Sequence, residues 1–291
     1  MNVNYQDFKI IFTVFLFWFS IQFGEIVEDT AAYFMVLTLG IVHGANDLLI
    51  LKKNEQNKRR FFRSVAGYLA LIGLCVVSFF INPFISLLLF ILLSAYHFGE
   101  EHFEDKIGGP SWLSYAVYLT YGLLIFLMIF NENINQVNTI VSDLSRNVFS
   151  QQMILYVLIG VVVLLISLFL YGFFKKYTFR MNLYKEVFYL VLLYLVFKTT
   201  SLILGFAIYF ILWHSIPSII NQTEYISGNV SKKSFLHYFK HASPIWLLSI
   251  IGMIVLYLYL DQSLFSSVIF LILFAVTAPH AWVMFRMKKV K

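Results

Sequence analysis

The sequence predicts an all-α protein, a polytopic bundle of transmembrane helices, and three observations carry that prediction. Of its 291 residues 60% are hydrophobic and only 12% charged, where a soluble domain carries about 25% charged residues. The apolar residues come in runs long enough to span a bilayer, which takes roughly 20 helical residues. The strict alternation of a membrane β-barrel is absent. The single cysteine, Cys75, sits in an apolar run. It excludes a disulfide framework and a thiolate metal site and reads as a packed core thiol.

Ten spans follow in order, with eight as the lower bound. The first, at roughly 8–24, lacks the short apolar core and small-residue cleavage site of a signal peptide. The second, roughly 30–51, leads into the basic run Lys52–Arg63. The third and fourth, roughly 61–81 and 83–99, are joined by a tight reversal at Asn82-Pro83. The fifth and sixth cover roughly 112–130 and 151–173. The seventh, roughly 186–198, is short and runs into Lys198-Thr199-Thr200-Ser201. It reads as a half-span or as a bent pair with the eighth, roughly 201–220. Spans at roughly 244–260 and 264–286 complete the chain. No extramembrane domain, low-complexity tract or internal repeat interrupts it, so residues 1–291 read as one integral-membrane domain.

Loop charge predicts the orientation. With both termini in the cytoplasm, all of the 21 basic residues except Arg146 and Lys198 fall in inside segments, as the positive-inside rule requires. The net charge of +6 is then accounted for by cytoplasmic loops at a cell membrane and does not point to nucleic acid. Oligomeric state has no signature in the sequence.

Four of the seven histidines, His43, His97, His214 and His280, lie in spans two, four, eight and ten. These spans all run from outside to inside. Each histidine falls on the order of 6–12 Å from the inner end of its span, at about 1.5 Å per residue. An ionisable residue inside a membrane helix is a functional-site hypothesis, and independent structural histidines have no reason to share a depth. The pattern predicts a metal centre. Asp47 and Glu101 follow His43 and His97 by four residues, on the same helical face. They are the candidates to orient the imidazoles. Glycines beside the histidines allow close helix approach, and Pro217 and Pro279 open the local backbone.

The other histidines read differently. His102 follows His97 by five residues and reads as a solvated loop residue. His237 and His241 lie in a basic stretch that reads as an amphipathic segment on the membrane surface. An all-imidazole site is compatible with Zn, Cu, Fe or Ni. The greasy, aromatic-rich surroundings favour Fe(II) working with O₂ on a lipophilic substrate.

The segments His43-Gly44-Ala45-Asn46-Asp47, Tyr96-His97-Phe98-Gly99-Glu100-Glu101, Trp213-His214-Ser215-Ile216-Pro217-Ser218 and Pro279-His280-Ala281 resemble those of the Brp/Blh family. These are bacterial and archaeal integral-membrane β-carotene 15,15′-dioxygenases. The resemblance implies Fe(2+) as cofactor, O₂ and all-trans-β-carotene as substrates, and central cleavage to two molecules of all-trans-retinal. It further implies delivery of retinal to a rhodopsin as downstream acceptor. Some members carry a second histidine one turn after the one matching His214, where this chain has Ser218. The shared depth selects His280 as the fourth ligand instead. A lateral tunnel from the membrane lipid, lined by Tyr96, Phe98, Tyr209, Trp213 and Trp282, would set the polyene against the metal.

Rival classes leave different traces. A transporter or proton pathway would show inverted repeats and broken helices at the midplane, whereas this polar cluster lies toward one face. Another membrane oxygenase of the di-iron type would need tighter histidine boxes. A non-catalytic carotenoid-binding protein would need no converging imidazoles.

Overall fold

The computed structural model describes residues 5–55, 57–109, 111–260 and 262–290, so Lys291, counted above among the inside charges, lies outside the described residues. The helices run in the order α1 (Tyr5–Gln22), α2 (Glu25–Met35), α3 (Ile41–Gly44), α4 (Asp47–Asn54), α5 (Lys58–Ile81), α6 (Pro83–Phe103) and α7 (Trp112–Glu132). They continue with α8 (Ile134–Ser145), α9 (Gln151–Phe174), α10 (Leu183–Thr199), α11 (Leu202–Ile208), α12 (Ile216–Ser227), α13 (Lys232–Tyr259) and α14 (Gln262–Val290). Two π-helical stretches, Val36–Gly40 and Tyr209–Ser215, link α2 to α3 and α11 to α12. Among the described residues there is no strand, only an isolated antiparallel bridge between Ile107 and Phe179.

Seven helices among the described residues are long and apolar enough to cross a membrane. They are the composite Glu25–Asn54, α5, α6, α7, α9, the composite Leu202–Ser227 and α13. The spans expected at the sites of α1, α10 and α14 are helical but not among the seven; α10 has 17 residues. The expected reversal at Asn82-Pro83 is present, with Asn82 closing α5 through its extended backbone. The helices expected as the seventh and eighth spans, α10 and α11, are separated by a break at Thr200-Ser201. The basic stretch carrying His237 and His241 forms the first turns of α13, which runs unbroken past Pro244 to Tyr259.

The chain divides into two compact units. The first comprises residues up to Val36, Ser94–Thr139 and Val148–His214. Its central helix is α7, buried along most of its length from Leu113 to Ile129. Helices α9, α10 and α11 pack around α7. On α9 only Ile154, Leu165, Leu168 and Gly172 are buried, a single stripe, and most of the rest of its apolar surface is exposed. At the break after α10 the first amides of α11 lack intrahelical acceptors. Glu28 of α2 takes the Ser201 amide at 2.7 Å, and Gln136 of α8 takes that of Leu202 at 2.6 Å. The Ser201 hydroxyl donates to Asp29 at 2.6 Å. A carboxylate is the favoured partner at this end of the helix dipole.

The second unit comprises Leu37–Leu93, Ile140–Asn147 and the chain from Ser215 onward. Its core has two parts. Ile50 and Leu51 of α4 pack on Val283, Met284 and Met287 of α14. Val42 and Ala45 pack on Ile219 of α12 and on Tyr238 and Ala242 of α13.

Candidate metal centre

The structure sets the four intramembrane histidines in two pairs, one within each unit. All four side chains are buried. In the second unit the His43 and His280 ring centroids lie 4.7 Å apart, edge to face. In the first unit His97 and His214 repeat that arrangement, again at 4.7 Å.

His43 sits where a helix is deliberately broken. The π-helical stretch Val36–Gly40 precedes it, and α3 ends one residue later at Gly44. A π-turn widens the hydrogen-bond ladder, a feature frequent at functional sites. The Leu37 carbonyl in that stretch accepts from Trp246 Nε1 at 2.9 Å. At the break after Gly44 the Ala45 amide caps the Val42 carbonyl at 3.2 Å, and the carbonyl of His43 is taken by a side chain. Gln222 Nε2 donates to the His43 carbonyl at 2.8 Å. The Tyr238 hydroxyl donates to Gln222 Oε1 at 2.9 Å, which fixes the amide's orientation. The His43 ring donates from Nδ1 to the Gly40 carbonyl, with the Ser215 hydroxyl 3.5 Å away. Because a carbonyl only accepts, that bond sets the proton on Nδ1 and the lone pair on Nε2.

His280 follows Pro279 within α14, where the missing amide opens the ladder. Its Nδ1 lies 2.8 Å from Asp47 Oδ1, and the other Asp47 oxygen accepts from Tyr68 at 3.1 Å. Asp47 therefore orients His280, while the expectation from spacing had paired it with His43. The glycine beside His43 matters here: a Cβ on Gly44 would stand 3.8 Å from His280 Nδ1, so the pair lies against a side-chain-free surface.

In the first unit His97 is placed by a backbone-to-backbone crossing of α6 and α7. A Cβ on Gly99 would lie 1.8 Å from the Tyr118 carbonyl oxygen, and one on Gly122 would lie 1.8 Å from that of Ala95. The two glycines interlock on either side of His97, as expected for close helix approach. His214 lies in the second π-helical stretch, whose Leu212 carbonyl accepts from the Tyr5 hydroxyl. Both π stretches thus have a carbonyl taken by an aromatic donor from a distant part of the chain. The His214 ring lies 4.6 Å from Phe98 and stacks on Phe210 at 5.8 Å.

Of the aromatic residues expected to line a tunnel, Phe98 and Tyr209 come together at 5.5 Å, and Phe98 lies against His214. Tyr96 turns instead to Tyr115 and Tyr118. Trp213 donates to Thr13 at 3.1 Å and lies under the Lys9 ammonium at 4.0 Å. Trp282 stacks beneath the Arg286 guanidinium at 5.1 Å. Ser218 accepts from Gln222 at 3.0 Å, and Glu101 is half-buried on α6.

His102 is a correction. It is not a solvated loop residue, because its side chain is only 5% exposed. Its Nε2 meets Glu186 at 2.7 Å, Lys106 bonds the same carboxylate at 2.6 Å, and its ring stacks on Tyr121 at 4.6 Å. Burial here is supplied by α7 and α10, which no local pattern around His102 reveals. Gln222 and Tyr238 were also missed, although a Ser218–Gln222 pair at helical spacing inside an apolar span is a legible polar signal.

No curated protein and no solved structure matches the chain. The family model described as Beta-carotene 15,15'-dioxygenase matches residues 34–288, a stretch that holds all four histidines. The chain belongs to the β-carotene 15,15′-dioxygenase family, as its likeness to Brp/Blh proteins implied.

Proposed function

We propose that the protein is a multi-pass enzyme of the cell membrane that cleaves the central 15,15′ double bond of all-trans-β-carotene with O₂. The product is two molecules of all-trans-retinal, the chromophore consumed by a rhodopsin. In this reading His43, His97, His214 and His280 together hold one Fe(2+). The observation that carries it is the pair of buried, edge-on imidazole couples in a chain of this family. The donor set fits a divalent metal: two of the imidazoles are held at Nδ1 by a carbonyl and a carboxylate. That is the usual support for a ligand binding through Nε2. Four neutral nitrogens suit a ferrous ion.

When bound, the iron would supply the activation of oxygen. The chain supplies position and dryness. Asp47 and the Gly40 carbonyl fix two tautomers, and the Gly99–Gly122 crossing fixes the backbone at His97. Phe98 and Phe210 present an apolar aromatic surface to His214, with Tyr209 packed on Phe98, suited to holding a polyene and excluding water. Regioselectivity then follows from how that surface sets the alkene relative to the metal, and the oxygen chemistry belongs to the cofactor. No side-chain nucleophile or general base is required. The basic inside segments put both termini in the cytoplasm under the positive-inside rule.

The test is expression in a bacterium that accumulates β-carotene, with pigments extracted and separated beside those of the His43→Ala strain. Loss of β-carotene with appearance of retinal in the wild type alone supports the reading. Unchanged β-carotene, with folded and iron-loaded wild-type protein in the membrane, removes it.

A further inference from the structure

Within the second unit, a cleft of about 370 Å³ opens between the start of α5 and the end of α14. Its lining includes Glu55, Arg60, Arg63, Ser64, Trp282 and Arg286. Three guanidiniums therefore face one carboxylate. That carboxylate is already committed: Glu55 Oε1 accepts from Arg286 Nη2 at 2.6 Å and from the Ser64 hydroxyl at 3.0 Å. Arg286 Nη1 also donates to the Ser64 oxygen at 2.8 Å. The Arg286 plane rests on Trp282, whose ring reaches α5 at Gly67, where a Cβ would sit 3.8 Å away. Arg286 is thus fixed as the back wall. Arg60 and Arg63, both exposed, supply the charge in excess.

We propose that this cleft binds the phosphate of an acidic glycerophospholipid. Guanidinium forks match phosphate oxygens bidentately, and basic pockets between membrane helices are recurrent headgroup sites. The geometry selects a lipid over free phosphate because the charge continues into an apolar track. From Arg63 the residues Ala66, Ala70, Leu74, Val77 and Ile81 follow at intervals of three, four, four, three and four, and every one is exposed. They form one outward stripe along α5 from the arginines to its end, narrow-sided near the arginines and bulky further along. An acyl chain attached to the bound phosphate has this stripe to lie on, which a free ion has no use for.

The experiment places purified protein in mixed micelles of phosphatidylcholine and phosphatidylglycerol and measures the retained lipids by native mass spectrometry. Wild type is compared with the Arg60→Gln/Arg63→Gln double variant and with Lys232→Gln/Lys233→Gln, which removes equal charge at the exposed start of α13. The expected result is about tenfold enrichment of phosphatidylglycerol on the wild type and on the lysine variant, lost in the arginine variant, a factor equal to about 1.4 kcal/mol. Excess inorganic phosphate leaves the enrichment in place. No enrichment on the wild type overturns the proposal without recourse to any variant. Enrichment that survives in the folded arginine variant, or that inorganic phosphate displaces, overturns it equally.

Discussion

Asp47 and His280 stand 233 residues apart in sequence and meet at 2.8 Å, carboxylate to imidazole, with Tyr68 on the second carboxylate oxygen. This relay makes His280 a ring of fixed tautomer and orientation. Replacing Asp47 by Asn keeps an acceptor but removes the negative charge beside the ring. Iron affinity, measured by competition with a graded series of chelators, is expected to fall about 10- to 100-fold. Tyr68→Phe should fall less, since the primary contact survives. Wild-type affinity in Asp47→Asn would separate the relay from the metal.

The α6–α7 crossing gives a prediction about stability. Gly99→Ala would drive a methyl into the Tyr118 carbonyl, 1.8 Å away, and backbone cannot swing aside as a side-chain tip can. Thermal unfolding in detergent should show destabilisation at or beyond the usual 1–3 kcal/mol of overpacking, about 3 kcal/mol or more. Gly160→Ala on α9, with nothing within 4 Å of its Cβ, is the matched control. It should be neutral or stabilising by up to about 1 kcal/mol through helix propensity.

The His102–Glu186–Lys106 cluster is structural in this account. Glu186→Gln weakens the bonds to the His102 ring and to the Lys106 ammonium in a largely buried setting, side-chain exposure of Glu186 being 10%. The expected cost is about 3 kcal/mol in unfolding free energy. Iron per folded chain should stay unchanged in Glu186→Gln and in His102→Ala. Loss of iron in His102→Ala would add a ligand that the pairs do not include.

Glu55 lends a pH dependence. The hydrogen bond from Arg286 holds its carboxyl below the ordinary value of 4.5. The stability it contributes is fully present above that value and is lost as pH falls through the lower, folded value. The gap in unfolding temperature between wild type and Glu55→Gln should be constant at neutral pH and shrink in acid. A gap that persists unchanged to the acid limit would deny the pairing.

Much of this was legible in the chain because the membrane imposes strong local rules. The apolar runs, the Asn82-Pro83 reversal and the bend at Thr200-Ser201 are signals carried by neighbouring residues. The burial of His43, His97, His214 and His280 follows from their apolar surroundings. What was not legible depends on partners far away in sequence. Spacing put Asp47 with His43, four residues off, while folding gave it to His280. His102 read as solvated because Glu186, 84 residues on, has no local mark. The π-helical stretches before and through the histidine positions carry no composition of their own. In each, a carbonyl is taken by a side chain far away in sequence, Trp246 in one and Tyr5 in the other.

The central claim is that both histidine pairs serve one ferrous ion, and iron content tests it most directly. Protein purified without oxygen should carry one iron per chain. Each of His43→Ala, His97→Ala, His214→Ala and His280→Ala, still folded by its unfolding transition, should lose most of it. Full iron retained after loss of either partner of one pair, with retinal still formed, would contradict the account and leave the metal to the other pair alone.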